Sequence, residues 1–386
     1  MLGPKKASVV AAEQDLGAAS HVPSDRRPRP AARQVLHVGY VGCAEAHTLL
    51  QGRLRFPLTR IDFGDYRPPE ATGPWPLVRL TLPQLQAAPL AEVWTSALPV
   101  QYFHHDGLWL AANKEILFGY FEEHESAGSA LAGLIHAAYR RILTNIRASG
   151  YPHLLRVWNY LPEINELSDG FERYQQFCIG RHQALVEERV EFHHGLPAAT
   201  AVGTGPGSVQ IYFLASRREG VQIENPRQVN AYHYPRRYGP KSPSFARASL
   251  LSSESGNHLF IAGTASIVGH ASRHAGDPYR QTIEILDNIE AVIASALVAH
   301  PRRHGGNPTS KAALLKVYVR RPEHLPAIER ALSDRLGSVP RCLFLRGDTC
   351  RSALLLEIEG IVSLANAEPV GPERIPSDFH IRTADL

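Results

Sequence analysis

The segment LLRVWNYLPEIN at residues 154–165 has an echo in LLKVYVRRPEHL at 314–325. Each is an apolar run that ends in a Pro-Glu turn, which is typical of a buried strand. Each follows a long amphipathic pattern, at 129–150 and at 279–297. In the second pattern Ile283, Leu286, Ile289 and Ile293 recur at helical spacing. The echo therefore predicts that a helix and a strand occur twice in the same order.

The repeat extends beyond these two elements. A second helical pattern follows each strand, at 170–185 and at 324–336, and each half closes on a further strand, at 208–216 and at 353–360. A chain that repeats its element order at this scale is typical of two copies of one domain. We therefore predict an α/β (α+β) fold made of two similar domains.

Composition shifts place the borders of these domains. Residues 1–34 are rich in Ala, Pro, Arg and Ser without an apolar period, which predicts a disordered or loosely attached tail. We predict an N-terminal domain at 35–218, a C-terminal domain with the main catalytic residues at 219–366, and a C-terminal extension at 367–386.

The overall composition excludes several classes of protein. The chain has 386 residues and a formal net charge of +4 from 41 basic and 37 acidic residues, which is too balanced for a general polyanion binder. Its four cysteines form no CxxC pair, and no apolar run is long enough to span a membrane. We expect a cytoplasmic protein with no metal site, no nucleic-acid partner and no membrane contact.

Residues 225–248, NPRQVNAYHYPRRYGPKSPSFARA, form a basic stretch without an acid. Aromatic side chains lie between its cations, and its prolines prevent a regular helix. Three interpretations are open: a nucleic-acid surface, a solvated basic loop, or a site for a small anion with an aromatic-sized body. Its cations are Arg227, Arg236, Arg237, Lys241 and Arg247.

Two further patterns hold candidate site residues. In FERYQQFCIGR, helical spacing places Phe171, Tyr174, Cys178 and Arg181 on one stripe. The stripe is either an ordinary core face or a site in which the arginine meets an anion, because an unpaired buried charge is costly. In ALLLEIEG, strand alternation places Glu357 and Glu359 on one face. Both could simply face water, and alternation cannot choose one of them as an acid.

Taken together, these motifs resemble the chorismatases, a family that includes the 3-hydroxybenzoate synthases. The resemblance covers about residues 35–365, and it depends on the basic stretch, LFIAGTASIVGH, CRSALLLEIEG and the two segments 154–165 and 172–181. The second half also resembles the RidA/YjgF-type domain. This resemblance implies two RidA/YjgF-like domains, each a mixed sheet with helices packed on one face.

The resemblance also implies a substrate and the residues that bind it. Chorismate carries two carboxylates on a six-membered ring, and arginine and tyrosine suit such a ligand because charge-assisted bonds are strong and directional. By similarity Glu357 is the acid that protonates the enol ether, in an apolar part of the pocket away from the arginines. The residues that would hold the substrate are Tyr174, Arg181, Tyr234 and Arg247. No cofactor is implied, and a monomer is expected rather than a trimer.

Two residues match the branch of the family that forms hydroxybenzoate. Gly263 would leave room beside the ring, and the thiol of Cys350 could assist proton movement; a small buried hydrophobe is the alternative for the cysteine. We therefore predict formation of 3-hydroxybenzoate and pyruvate. The alternatives are a mixture of 3- and 4-hydroxybenzoate, hydrolysis to a dihydroxycyclohexadiene carboxylate, and a non-enzymatic RidA-like ligand-binding protein.

Overall fold

The computed structural model describes residues 36–52, 55–66, 73–125, 130–253, 256–299, 313–337 and 342–364. The predicted tail at 1–34 and the predicted extension at 367–386 lie outside these ranges. The helices are α1 (Cys43–Gln51), α2 (Leu131–Ala148), α3 (Arg173–Glu187), α4 (Pro278–Ala299) and α5 (Leu325–Leu336). The strands are β1 (Leu36–Gly42), β2 (Phe56–Phe63), β3 (Leu77–Leu80), β4 (Leu90–Ser96), β5 (Gln101–His105), β6 (Leu108–Ala112), β7 (Ile116–Glu123), β8 (His153–Pro162), β9 (Leu167–Ser168), β10 (Phe171–Glu172), β11 (Ala198–Thr204), β12 (Val209–Ser216), β13 (Val221–Ile223), β14 (Ala248–Ser253), β15 (Gly256–Thr264), β16 (Ile267–Val268), β17 (Ala271–Ser272), β18 (Ala313–Val319), β19 (Cys342–Arg346) and β20 (Leu356–Leu364).

The echo in the sequence corresponds to a duplicated sheet. One six-stranded sheet has the order β5-β6-β7-β12-β8-β11, and the other has the order β13-β14-β15-β20-β18-β19. In both sheets the echoed strand, β8 or β18, pairs parallel with the edge strand that follows the second helix and antiparallel with the last strand of its half. The predicted α/β fold of two similar halves, each with a mixed sheet, is confirmed. The borders 35–218 and 219–366 stay predictions.

A four-stranded sheet precedes the duplicated part, and the sequence did not predict it. Its order is β1-β4-β2-β3, and α1 packs against it. These strands have no counterpart in the second half, so the echo carried no information about them. The N-terminal half is therefore larger than one copy of the repeated unit.

Each pair of helices covers one face of its own sheet. Helices α2 and α3 form one apolar core with the first six-stranded sheet, and α4 and α5 form another with the second. The opposite faces of both sheets meet the four-stranded sheet in a third core, which contains Trp94, Trp158, Tyr212 and Tyr318. None of the helices in the described ranges has the length and apolarity to cross a membrane. Cytoplasmic location and the monomeric state stay predictions.

The close contact between α2 and α3 depends on a glycine. A Cβ atom added to Gly180 of α3 would lie 2.1 Å from the backbone oxygen of Ala132 in α2, whereas one added to the exposed Gly133 of α2 would meet nothing within 4 Å. We expect Gly180→Ala to lower the free energy of unfolding by about 1–3 kcal/mol, as overpacking does. Gly133→Ala should raise it by about 0.5–1 kcal/mol through helix propensity.

Denaturant unfolding of both variants measures the two changes in the free energy of unfolding. Gly133→Ala is the control, because it is the same substitution in the facing helix. If the two variants shift the midpoint equally, the close contact at Gly180 does not limit the approach of α2 to α3.

Candidate active site

A cavity of about 200 Å³ lies between the two halves. One wall comes from α3 and β11 of the first half. The other comes from residues 234–247, β15, β20 and the loop 350–352 of the second half. All seven site residues predicted from the sequence line this cavity: Tyr174, Cys350, Arg181, Tyr234, Arg247, Gly263 and Glu357. The structure thus brings together side chains that are separated by up to 183 residues of sequence (174 to 357).

Arg181 is buried in the cavity wall, and the described residues supply no anionic partner for it. Its side chain is 2% exposed, and among these residues its Nε and Nη2 atoms have no hydrogen-bond partner. The guanidinium lies over the ring of Tyr139, 5.0 Å from the centroid, which compensates part of the lost hydration. Phe171, predicted on the same helical stripe, instead lies in β10 and is exposed, because α3 begins only at Arg173. The stripe prediction is therefore wrong at its first residue.

Arg247 forms a second buried cation in the wall. Its Nη2 atom donates to the backbone oxygen of Val229 at 2.9 Å and to the hydroxyl of Tyr234 at 2.8 Å, while Nε has no partner. Within the described ranges, neither this guanidinium nor that of Arg181 forms an ion pair with a carboxylate. An uncompensated buried charge is unfavourable, so an anion in the cavity would stabilise both guanidinium groups.

The basic stretch is divided between structural and cavity-lining cations. Arg227 forms ion pairs with Glu284 and Asp287 of α4, so it fastens the stretch to the second half. Arg236 is exposed and does not line the cavity, whereas Arg237 and Lys241 do. The stretch thus forms part of the cavity wall and is not a fully solvated loop.

Arg351 and Thr200 line the cavity and were not predicted. The Arg351 guanidinium lies 3.9 Å from the ring centroid of Tyr238, and its Nη1 donates to the backbone oxygen of His270 at 2.9 Å. A single arginine after Cys350 has no pattern that could identify it. Thr200, in the apolar strand β11, likewise reads as an ordinary strand residue.

Glu357 is a buried carboxyl group that has no hydrogen-bond partner among the described residues. Burial and the nearby charge of Glu359 raise its pKa to about 8, although Arg156 and Arg247 act in the opposite direction. The expectation that Glu357 lies away from the arginines is therefore wrong. Its pKa is nevertheless raised, because burial and the charge of Glu359 outweigh the effect of the two arginines. At neutral pH Glu357 is a neutral acid that can donate a proton into the cavity.

Glu359 has a different environment. It accepts hydrogen bonds from Arg156 Nη2 at 2.6 Å and Thr200 Oγ1 at 2.5 Å, and it pairs with Lys316 Nζ at 3.1 Å. Burial alone would raise its pKa, but Lys316, Arg156 and the threonine hydroxyl hold the pKa below its ordinary value. The interpretation that both glutamates face water is wrong, because this face of β20 packs against the first half.

Gly263 makes room for the Glu357 carboxyl. It lies where the pairing of β15 with β20 is irregular, and its backbone N–H donates to Thr200 Oγ1 at 2.9 Å. A Cβ atom at this position would lie 1.9 Å from Glu357 Oε1 and 3.1 Å from Thr200 Cγ2. The glycine therefore controls the position of the acid first, and only through it the space beside a ligand.

Cys350 lies in a loop that Arg320 holds in place. The Arg320 guanidinium pairs with Asp348 at 2.8 Å and donates to the backbone oxygens of Thr349, Arg351 and Leu354. Burial and the charge of Glu357 raise the pKa of the Cys350 thiol to about 11, so it is a thiol at neutral pH. In the part of the chain that the structure describes, no cluster of His, Cys, Asp and Glu has the arrangement of a metal site.

The chain is similar to several known proteins. The family model "Chorismatase FkbO/Hyg5-like, N-terminal" matches residues 92–215. A 3-hydroxybenzoate synthase of Streptomyces hygroscopicus is 37% identical over 294 residues, which are 75% of this chain and 86% of that protein. A chorismatase of the same organism is 40% identical over 277 residues, 70% of this chain and 79% of that protein.

A solved structure extends the likeness to three dimensions. A crystal structure of a chorismatase matches with a TM-score of 0.76 and 34% identity, over 85% of this chain and 98% of that chain. Identity at this level over most of both chains extends far beyond the individual motifs. The chain belongs to the chorismatase family.

Proposed function

We propose that this protein converts chorismate to 3-hydroxybenzoate and pyruvate. The observation that carries the proposal is the combination, in one cavity of about 200 Å³, of a neutral buried acid with two buried arginines that form no ion pair among the described residues. The relatives named above, one of them a 3-hydroxybenzoate synthase, support the same reaction.

The substrate matches the charges of the cavity. Chorismate brings two carboxylates, and we propose that Arg181 and Arg247 each pair with one of them. The phenols of Tyr174 and Tyr234 line the same cavity and can donate to carboxylate or ring oxygens. Binding then supplies the anions that both guanidinium groups lack, and the cavity can hold a pair of charges that neither partner could bury alone.

The reaction follows from the state of Glu357. Its proton passes to the methylene carbon of the enolpyruvyl group, which leaves an oxocarbenium ion at the ether carbon and a carboxylate on Glu357. The neighbouring ring hydroxyl displaces the pyruvyl oxygen: its oxygen bonds to the same ring carbon, the bond from that carbon to the ether oxygen breaks, pyruvate leaves, and a protonated arene oxide remains. The original carbon–oxygen bond of the hydroxyl then opens, the ring loses a C–H proton as it becomes aromatic, and this proton restores the acid. No water is consumed, and no electrons enter or leave.

Arginine removal tests the binding site. Loss of one partner of a desolvated charge pair costs about 2–5 kcal/mol. We expect Arg181→Met and Arg247→Met each to lower kcat/KM for chorismate by about that free energy. Arg181→Met should not lower the stability of the ligand-free protein, because it removes an unpaired buried charge. The exposed Arg236 is the matched control, and Arg236→Met should keep nearly full kcat/KM. Unchanged kinetics in both buried variants contradict the proposed pocket.

Glu357→Gln tests the acid. The amide keeps the shape but has no transferable proton, so pyruvate release should fall by about 10²–10⁴-fold.

In the wild type, kcat/KM should be constant below the pKa of Glu357, about 8, and fall as pH rises through it, since the acid acts in its protonated form. Because this pKa is raised in the folded state, the stability gained by Glu357→Gln should increase with pH up to about 8. Full activity of Glu357→Gln removes the mechanism.

Gly263 and Cys350 are proposed to decide the product. A methyl group at 263 pushes the Glu357 carboxyl aside, so Gly263→Ala should lower total pyruvate release. In the double variant Gly263→Ala/Cys350→Ala, the remaining turnover should shift from hydroxybenzoate to the dihydroxycyclohexadiene carboxylate. The reason is that water then competes with the ring hydroxyl for the ring carbon that carries the ether oxygen. Chromatography of aromatic and diene products in one assay measures the ratio. Gly205→Ala, whose Cβ meets nothing within 4 Å, is the control, and an unchanged ratio in an active double variant rules out both positions.

A further inference from the structure

Behind the cavity wall lies a buried charge cluster that the proposed mechanism does not use. Glu359, two residues after Glu357 on β20, does not line the cavity, yet its side chain is almost completely buried. Arg156 of β8 and Lys316 of β18 both pair with it. Lys316 also pairs with Glu92 of β4 at 2.7 Å. The cluster therefore holds two acids and two bases from four strands, with Glu357 beside it.

We propose that Glu359 is a positioning residue that keeps Glu357 protonated, and that Arg156 limits this effect from the opposite direction. The proposal rests on the proposed function, because it explains how the acid of that reaction is maintained. Glu359 touches neither the cavity nor a reacting atom, so it acts only through Glu357.

The geometry gives this influence its direction. Successive residues of a strand point to opposite faces, so Glu357 and Glu359 point to the same face, one pleat apart. Five donors hold the Glu359 carboxylate in its charged form: Arg156, Lys316, Thr200, the indole of Trp158 at 2.8 Å and the hydroxyl of Tyr318 at 3.2 Å. A fixed negative charge on the same strand face, two residues away and in a medium of low polarity, opposes ionisation of the Glu357 carboxyl.

Thr200 couples the cluster to the cavity wall. Its hydroxyl donates to Glu359, and its oxygen accepts the backbone N–H of Gly263, the residue against which the Glu357 carboxyl packs. Thr200 thus contacts both the Glu359 carboxylate and the backbone beside the Glu357 carboxyl. A movement of Glu359 would be transmitted to the pocket around Glu357.

Other ionisable groups face Glu357 from the remaining elements. They are Arg247, which precedes β14, Tyr174 of α3 and Cys350 of the loop before β20. Arg247 favours the carboxylate, as Arg156 does, whereas the tyrosine and the cysteine are neutral at the working pH because burial raises the pKa of both. Within this set Glu359 is the charged group that favours the protonated acid.

The test is the pH dependence of kcat/KM for chorismate in matched variants. Glu359→Gln keeps the size of the side chain and removes its charge, so the basic limb of the profile should move to lower pH. Each unit of this movement lowers the protonated fraction above the limb about tenfold. Arg156→Gln removes a cation that favours ionised Glu357, so its basic limb should move to higher pH. The double variant, which removes both charges, should lie between the two.

Glu92→Gln is the control. It also removes a buried carboxylate partner of Lys316, but Glu92 is not among the groups that shift the pKa of Glu357, so its basic limb should stay in place even if stability falls. Loss of structure alone cannot move the limb in opposite directions in two variants. If Glu359→Gln does not fold, Arg156→Gln and the double variant still provide the sign of the shift.

Glu357→Gln separates the inference from the function. If this variant is inactive and the basic limb stays fixed in Glu359→Gln and Arg156→Gln, the acid is correct and the role of Glu359 is overturned. An equal shift in Glu92→Gln and Glu359→Gln also overturns it, since any buried charge would then suffice. If Glu357→Gln keeps wild-type activity, the proposed function itself fails, whatever the profiles of the other variants.

Discussion

Glu357 and Glu359 lie on the same face of the buried strand β20, where two uncompensated negative charges would be unfavourable. Of these two side chains, the cations and hydrogen-bond donors that the structure describes in the surrounding strands contact only Glu359. Glu359 takes the cations and hydroxyl hydrogen bonds, and it stays ionised; Glu357 receives no hydrogen bond from the described residues, and its pKa rises to about 8. The difference between the two side chains therefore comes from Lys316 of the second half together with Arg156 and Thr200 of the first half, which packs against it.

The duplication of the sheet explains where the cations come from. In the echoed segments Arg156 and Lys316 occupy the same position, and both reach Glu359. Glu357 of β20 pairs with Tyr318, and Tyr212 of β12 pairs with Trp158. Because Tyr318 and Trp158 are equivalent positions of the two echoed segments, Tyr212 is the equivalent of Glu357. Tyr212 stacks on Trp158 at 4.6 Å, so the first half uses an aromatic stack where the second half has an acid. The two copies therefore differ in side chain at the position that holds the buried carboxyl of Glu357.

Close backbone approach is the second requirement of the site. Gly263 lies at an irregular pairing of β15 with β20, where a side chain would occupy the space of the Glu357 carboxyl. Gly180 allows α3, which carries Tyr174 and Arg181, to approach α2. Both glycines act by what they leave empty rather than by a special backbone angle. The positions of the Glu357 carboxyl and of the buried Arg181 therefore depend on packing at residues without side chains.

The sequence alone determined the duplicated α/β fold, because the period of apolar residues is local and the echo repeats it in order. It also determined, through the motifs shared with the family, seven of the residues that line the cavity. Only the tertiary structure separated Glu357 from Glu359, since strand alternation gives them the same face and their difference comes from Lys316, Arg156 and Thr200, which lie 43, 203 and 159 residues before Glu359. For the same reason Arg351, Thr200 and the four-stranded sheet were missed: no local pattern encodes a neighbour from a distant part of the chain.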